Sequence, residues 1–110
     1  MERFVKADVV VVSFPFSDLS ASKRRPALVL ADLPGNDILL CQITSLVSNE
    51  QSALPLVATD FIMGSLPVNS YIRPARIFTA DKQIIIRKAG KISSNLMNEV
   101  IDNLISILKQ

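Results

Sequence analysis

Ser13–Asp32 reads SFPFSDLSASKRRPALVLAD, and the interpretation of this stretch decides the fold. It joins two strand-like segments. Upstream, Val9–Val12 is a β-branched run, followed by Phe14 and Phe16 alternating around Pro15. Consecutive apolar positions of this kind describe a strand buried on both faces or curled inside a small barrel. Pro15 has no N–H to give to a ladder, so the strand ends or reaches an edge there. Downstream, PALVLAD is a second strand whose first residue is Pro26, where the missing donor is tolerated. Between them SDLSASK is a polar loop of small residues, and three consecutive cations, Lys23, Arg24 and Arg25, abut the proline. A solvated turn has no need of three charges at that point. An anion site does.

The pattern continues outward from this core. ILLCQITS is a third strand, apolar until Gln42 and Thr44, and LPLVA a fourth. TDFIMG reads as a single helical turn, capped by Thr59 or Asp60 and ended by Gly64. NSYIRPARIFTAD is a strand broken or bulged near Pro74, and KQIIIRKAGK a further short strand. The final segment differs in kind. In SSNLMNEVIDNLISILKQ, Leu96, Met97, Val100, Ile101, Leu104, Ile105 and Leu108 recur at steps of three and four. Ser93 or Ser94 serves as N-cap, Glu99 lies near the start and Lys109 in the last turn, which describes an amphipathic helix with complementary dipole charges. Its stripe packs on the sheet, with dimerisation as a secondary role. Five or six short strands and one terminal helix predict a single domain over residues 1–110. Its fold class is mainly β with a C-terminal helix, a small, strongly curled β-barrel or half-barrel.

Composition narrows the chemistry. The chain has 110 residues, 49% hydrophobic and 20% charged, enough apolar surface for a modest core. No apolar run is long enough for a membrane span, and the start MERFVKADVVVV lacks a small-residue cleavage site, so a soluble cytoplasmic protein is expected. A lone Cys41 excludes an intramolecular disulfide and a cysteine-based metal site. There is no histidine, which removes His-based triads, His-containing zinc sites and the His acid–base pair of a ribonuclease. An enzyme built from this chain works with Arg, Lys, carboxylates, hydroxyls and backbone. No cofactor is expected: no glycine-rich phosphate loop exists, and no DxD-type cluster marks a divalent metal. Net charge is only +2, but Arg73, Arg76, Lys82, Arg87, Lys88 and Lys91 stand against one acid, Asp81, in the segment they span. Together with Lys23–Arg25 they form either a phosphate-binding surface or scattered solvated cations.

Individual candidates follow. Arg25 precedes Pro26, which restricts its backbone to extended geometry. A guanidinium held on a strand start meets a phosphate with two parallel hydrogen bonds, which lysine cannot do. Gln42 and Thr44, two apart, share a strand face, and Thr44 either marks the strand's exit from the core or offers a hydroxyl to the anion beside Arg25. Cys41 is a buried core residue, because a nucleophilic thiolate lacks its usual histidine partner.

Taken in order, KADVVVV, FPFSDLSASKRRPALVL, CQITS and SYIRPARIFTADK, with a closing helix, resemble the MazF/PemK-like toxins of bacterial toxin–antitoxin systems. The resemblance implies an SH3-like barrel, usually a homodimer. It also implies a metal-independent, sequence-specific endoribonuclease acting on single-stranded RNA, with an antitoxin partner that occupies the RNA groove. Carried over by position, it assigns catalysis to Arg25 and Thr44; around them RNA contacts are expected from Phe16, Ser20, Lys23, Arg24, Gln42, Ser45 and Arg76. Phe16 either stacks a base or packs in the core. The chain departs from the family pattern at Ala7, where glycine is usual, and at Phe78, where arginine is frequent. A turn needing positive φ at Ala7 is strained. Two other readings share the barrel: a CcdB-like toxin that binds gyrase without catalysis, and an interaction module that has lost cleavage.

Overall fold

The computed structural model describes residues 3–15, 22–46 and 49–110. Among the described residues, seven strands form one antiparallel sheet, and one α-helix follows them. The strands are β1 (Asp8–Pro15), β2 (Ser22–Asp32), β3 (Asp37–Thr44), β4 (Leu54–Leu56), β5 (Phe61–Gly64), β6 (Ser70–Asp81) and β7 (Ile85–Ile92), followed by α1 (Ser94–Leu108). Their order across the sheet is β4-β6-β3-β2-β1-β7-β5, so β2, which carries the Arg-Pro step, lies at the centre; it begins at Ser22 and not at Pro26, because the ladder to β1 continues past the proline. Among the described residues, no helix is long and apolar enough to cross a membrane.

The valine run is buried on both faces, as its pattern requires. Val9 joins Leu28, Cys41, Ile43, Ile72 and Ile92 in one cluster, which α1 covers with Leu96, Met97 and Val100. Val10 and Val12 face the other way, into a second cluster with Ala27, Val29, Ile38 and Leu40. Two clusters on opposite faces of the central strands are what a curled sheet with a covering helix produces.

Local chemistry sets the element ends. Ser93 caps α1, its Oγ accepting from Leu96 N at 3.2 Å, and β1 is described as far as Pro15, which pairs with Ser22. In β6 the pairing jumps from Gln42↔Arg73 to Cys41↔Ile77, so Pro74, Ala75 and Arg76 form the bulge expected at the proline. TDFIMG is not one helical turn. Residues Ala58–Asp60 make a 3₁₀ turn, and Phe61–Gly64 is the edge strand β5, paired to β7. A four-residue apolar stretch carries no period that separates helix from strand; pairing with β7 decides it. Glu99 falls beyond the first turn of α1, which holds no acid, so the charge complement of that helix end is absent.

Ala7 has φ +80° and is 7% exposed. Asp8 N donates to Val5 O at 3.0 Å, closing a tight turn in which Ala7 holds the third position. That position takes positive φ in a type II turn and favours glycine. Ala7 stays there because its N–H bonds Val29 O and its carbonyl accepts from Ile92 N, both at 3.0 Å. The methyl group therefore costs about 1–2 kcal/mol of backbone strain. Ala7→Gly relieves it, less about 0.5–1 kcal/mol of added chain entropy in the unfolded state. The expected outcome is a rise of several tenths to one kcal/mol in urea unfolding; a fall would show that the turn is unstrained.

Candidate functional site

A cavity of about 270 Å³ opens where the central strands end. β2 contributes Arg24, Arg25 and Pro26; β3 and the residue after it contribute Ile43, Thr44 and Ser45; β1 gives Val11 and β7 gives Arg87. The segment before β6 forms the remaining wall with Leu66, Pro67 and Val68, and Ser70 closes it. Ser70 is 3% exposed, and its hydroxyl donates to Val68 O at 3.1 Å, which ties that wall to the strand.

The Arg-Pro step positions the two central groups. β2 pairs with β1 through Val11↔Pro26 and Val12↔Arg25, while its pairing with β3 ends at Ala27↔Gln42. Extending that register by two residues sets Arg25 across from Thr44. Thr44 is buried at 9% exposure, and its Oγ1 accepts from Leu46 N at 3.1 Å. Acceptance there fixes the hydroxyl and leaves its own proton to donate. Three guanidiniums and two buried hydroxyls, of Thr44 and Ser70, line the cavity, and among the described residues no carboxylate does. The arrangement suits an anion with several oxygens.

Of the seven positions expected to contact RNA, two line the cavity, three stand elsewhere and two lie outside the described residues. Arg24 and Ser45 are exposed and line the cavity. Lys23 is exposed one residue further out on β2 and is not part of the lining. Gln42 is turned to another task, since its Oε1 accepts from Arg73 Nη1 at 2.6 Å. Arg76 sits exposed on the β6 bulge, away from the cavity lining, within the field of Glu50. Phe16 and Ser20 lie outside the described residues.

The cation cluster of the second half is mostly committed to structure. Arg73 Nε donates to Glu50 Oε1 at 2.9 Å, and its Nη2 pairs with the same carboxylate. Lys82 Nζ meets Asp32 at 2.6 Å, on the far end of β3 from Thr44, where Arg3 also reaches it. Lys88 and Lys91 both pair with Asp8, at 3.3 and 3.2 Å. Of these, Arg87 is the cation that lines the cavity, and nothing in its sequence context separates it from its neighbours. Lys91 and Arg87 are four residues apart, so plain alternation puts them on one face. β7 instead inserts a residue between the partners of Val9 and Val10, which sets Lys88 and Lys91 both toward Asp8 and turns Arg87 to pair with Val11.

Two groups are outside the chemistry. Cys41 is fully buried, its Sγ donating to Arg73 O at 3.0 Å, and burial pushes the thiol up to about 12. The folded protein is expected to resist thiol-directed alkylation at pH 8, and rapid labelling would contradict this burial. The hydrogen bond from Arg73 holds the Glu50 carboxyl below its ordinary value of 4.5. A lowered carboxylate stabilises the fold above its unfolded pKa and loses that contribution as pH falls through the folded one. Glu50→Gln is therefore expected to be less stable than wild type at pH 7 and to converge on it below pH 4.5; urea midpoints across that range measure this.

Comparison with known proteins agrees with this architecture. The model of the PemK-like, MazF-like toxins of type II toxin–antitoxin systems matches residues 6–108. Among solved structures, MazF from Deinococcus radiodurans superposes with a TM-score of 0.79 over 100% of both chains at 20% identity. A mycobacterial endoribonuclease in complex with its cognate antitoxin gives 0.77 at 14% identity, covering 97% of this chain and 96% of that one. The Mycobacterium tuberculosis toxin MazF-mt6 gives 0.74 at 14% identity over 93% and 96%. At these identities the structures establish the shared fold; no curated protein is matched by sequence. With a family model spanning nearly its whole length, the chain belongs to the PemK-like, MazF-like toxins of type II toxin–antitoxin systems.

Proposed function

We propose that the protein is a metal-independent endoribonuclease toxin that cleaves single-stranded RNA at short sequences, and that its antitoxin partner covers the same cavity. The observation that carries this reading is the convergence of Arg25, from the restrained Arg-Pro step, with the buried Thr44 hydroxyl in a cavity with no carboxylate among its described lining residues. Family membership supports it, as do the mycobacterial neighbours, which are endoribonucleases.

The chemistry follows from those groups. The ribose 2′-oxygen attacks the adjacent phosphorus as its proton passes to water, a P–O2′ bond forms, and the P–O5′ bond breaks, the departing 5′-oxygen taking up a proton from water. The products are a 2′,3′-cyclic phosphate and a 5′-hydroxyl. Charge gathers on the non-bridging oxygens in the transition state, where a guanidinium fork and a fixed hydroxyl bind it more strongly than in the ground state. Arg25 remains protonated throughout, since its pKa exceeds about 12. Its role is to stabilise charge and to donate toward the departing 5′-oxygen. Thr44 donates one hydrogen bond to the same phosphate.

Purified toxin, freed of antitoxin and held in EDTA, is expected to cut an unstructured RNA at discrete sites with 5′-hydroxyl ends. Arg25→Ala and Thr44→Val each lower the rate about 10²–10³-fold, the usual loss of one oxyanion donor. Cleavage that requires metal, or an undiminished Arg25→Ala, would refute the assignment. No cleavage at all would favour a gyrase-binding or inactive member of the fold. We also propose a homodimer, since the outer end of the α1 stripe leaves Ile105 and Leu108 at 44% and 71% exposure. Sedimentation is expected to give twice the chain mass at micromolar concentration.

A further inference from the structure

We infer that Arg73, Glu50 and Gln42 form a clamp that positions the Thr44 hydroxyl, so that Glu50, which is not part of the cavity lining, sets the rate of cleavage through Thr44. The inference rests on the ribonuclease reading above and adds positioning residues to it.

The clamp is built on a second Arg-Pro step. Arg73 precedes Pro74, as Arg25 precedes Pro26, and the proline holds its backbone extended. Arg73 pairs with Gln42 across the β3–β6 ladder, which sets the two side chains beside each other on one face. Its guanidinium is used on both edges. Nη1 donates to Gln42 Oε1 at 2.6 Å, while Nε donates to Glu50 Oε1 at 2.9 Å and Nη2 pairs with the same carboxylate. A lysine ammonium has no such fork. Gln42 stands two residues before Thr44 and Glu50 six after it, so one side chain ties the chain down on either side of the threonine.

The downstream tie is itself anchored. Ala53 N donates to Glu50 O at 3.3 Å, Asn103 of α1 donates to Ser52 O at 3.2 Å, and β4 then joins the sheet beside β6. Between the two ties lies Leu46, whose N–H donates to Thr44 Oγ1 at 3.1 Å. The Leu46 side chain is 72% exposed, so packing does little to hold that N–H in place. The ties hold it instead. Loss of the Glu50 carboxylate loosens the span that follows Thr44 and lets Leu46 N leave the hydroxyl. The hydroxyl then samples rotamers that point away from the phosphate.

The test combines Glu50→Gln or Gln42→Leu with Thr44→Val, on a short RNA bearing one mapped cleavage site. Each single variant is expected to lower kcat about tenfold with KM unchanged, the scale of a slightly misplaced catalytic group. Neither is expected to lower it further in the Thr44→Val background, because residues that act through one group do not add. Hydrogen exchange at the Leu46 amide is expected to quicken in both single variants. Losses that persist beside Thr44→Val, as general destabilisation or a lost RNA contact would give, would overturn the inference and leave the ribonuclease reading intact. So would losses that fall on KM, wild-type rates in both variants, or unchanged exchange at Leu46. Failure of the wild type to cut the RNA would overturn the ribonuclease reading and the inference with it.

Discussion

The carboxylate of Asp8 is the contact on which the geometry of the site depends. The residue is 1% exposed, pairs with Lys88 and Lys91 of β7, and accepts from Val5 N at 2.9 Å. Burying an ion without partners is prohibitive, and removing one partner of a buried pair costs about 3–5 kcal/mol. The chain satisfies this requirement in only one register. Lys88 and Lys91 are three residues apart, an odd spacing that a regular strand would send to opposite faces. The bulge in β7 brings both to Asp8, and the same bulge sends Arg87 to the other face, beside Val11. The strained turn at Ala7 serves the same end, because it delivers Asp8 to the start of β1.

From that anchored strand, the central ladder carries the geometry to β2 and β3. Val11 pairs with Pro26 on one side and Arg87 on the other, so two of the arginine-bearing strands are indexed to one residue. β3 adds Thr44, buried and fixed by Leu46 N. A site without histidine thus obtains its order from backbone pairing. Its guanidiniums and hydroxyl need little reorganisation to meet a developing phosphate charge.

Much of this was readable in the chain. The valine run announced burial on two faces, Pro74 marked the bulge in β6, and Ser93 marked the helix cap; Pro26 misled as a strand start, because β2 already pairs with β1 from Ser22. Ala7 stood out only against the glycine usual in the resembled family, and the structure gives it a positive φ of 80°. What escaped the sequence depended on long-range partners. Arg73, Lys82, Lys88 and Lys91 resemble free cations until Glu50, Asp32 and Asp8 arrive from distant parts of the chain. Gln42 shares a strand with Thr44 yet is held by Arg73. Arg87 was hidden among those cations because a bulge, invisible in alternation, decides its face. β5 had too few residues to show a period.

The central claim is that RNA phosphates occupy the cavity lined by Arg24, Arg25, Thr44 and Arg87 and leave the structurally paired cations untouched. The most direct measurement is an NMR titration of the arginine Nε–Hε signals with an RNA made uncleavable by 2′-O-methylation at the scissile nucleotide. The account predicts saturable shifts at Arg24, Arg25 and Arg87, with Arg73 unmoved in its pair with Glu50. Shifts centred on Arg73 and Arg76, with Arg25 and Arg87 unchanged, would contradict it.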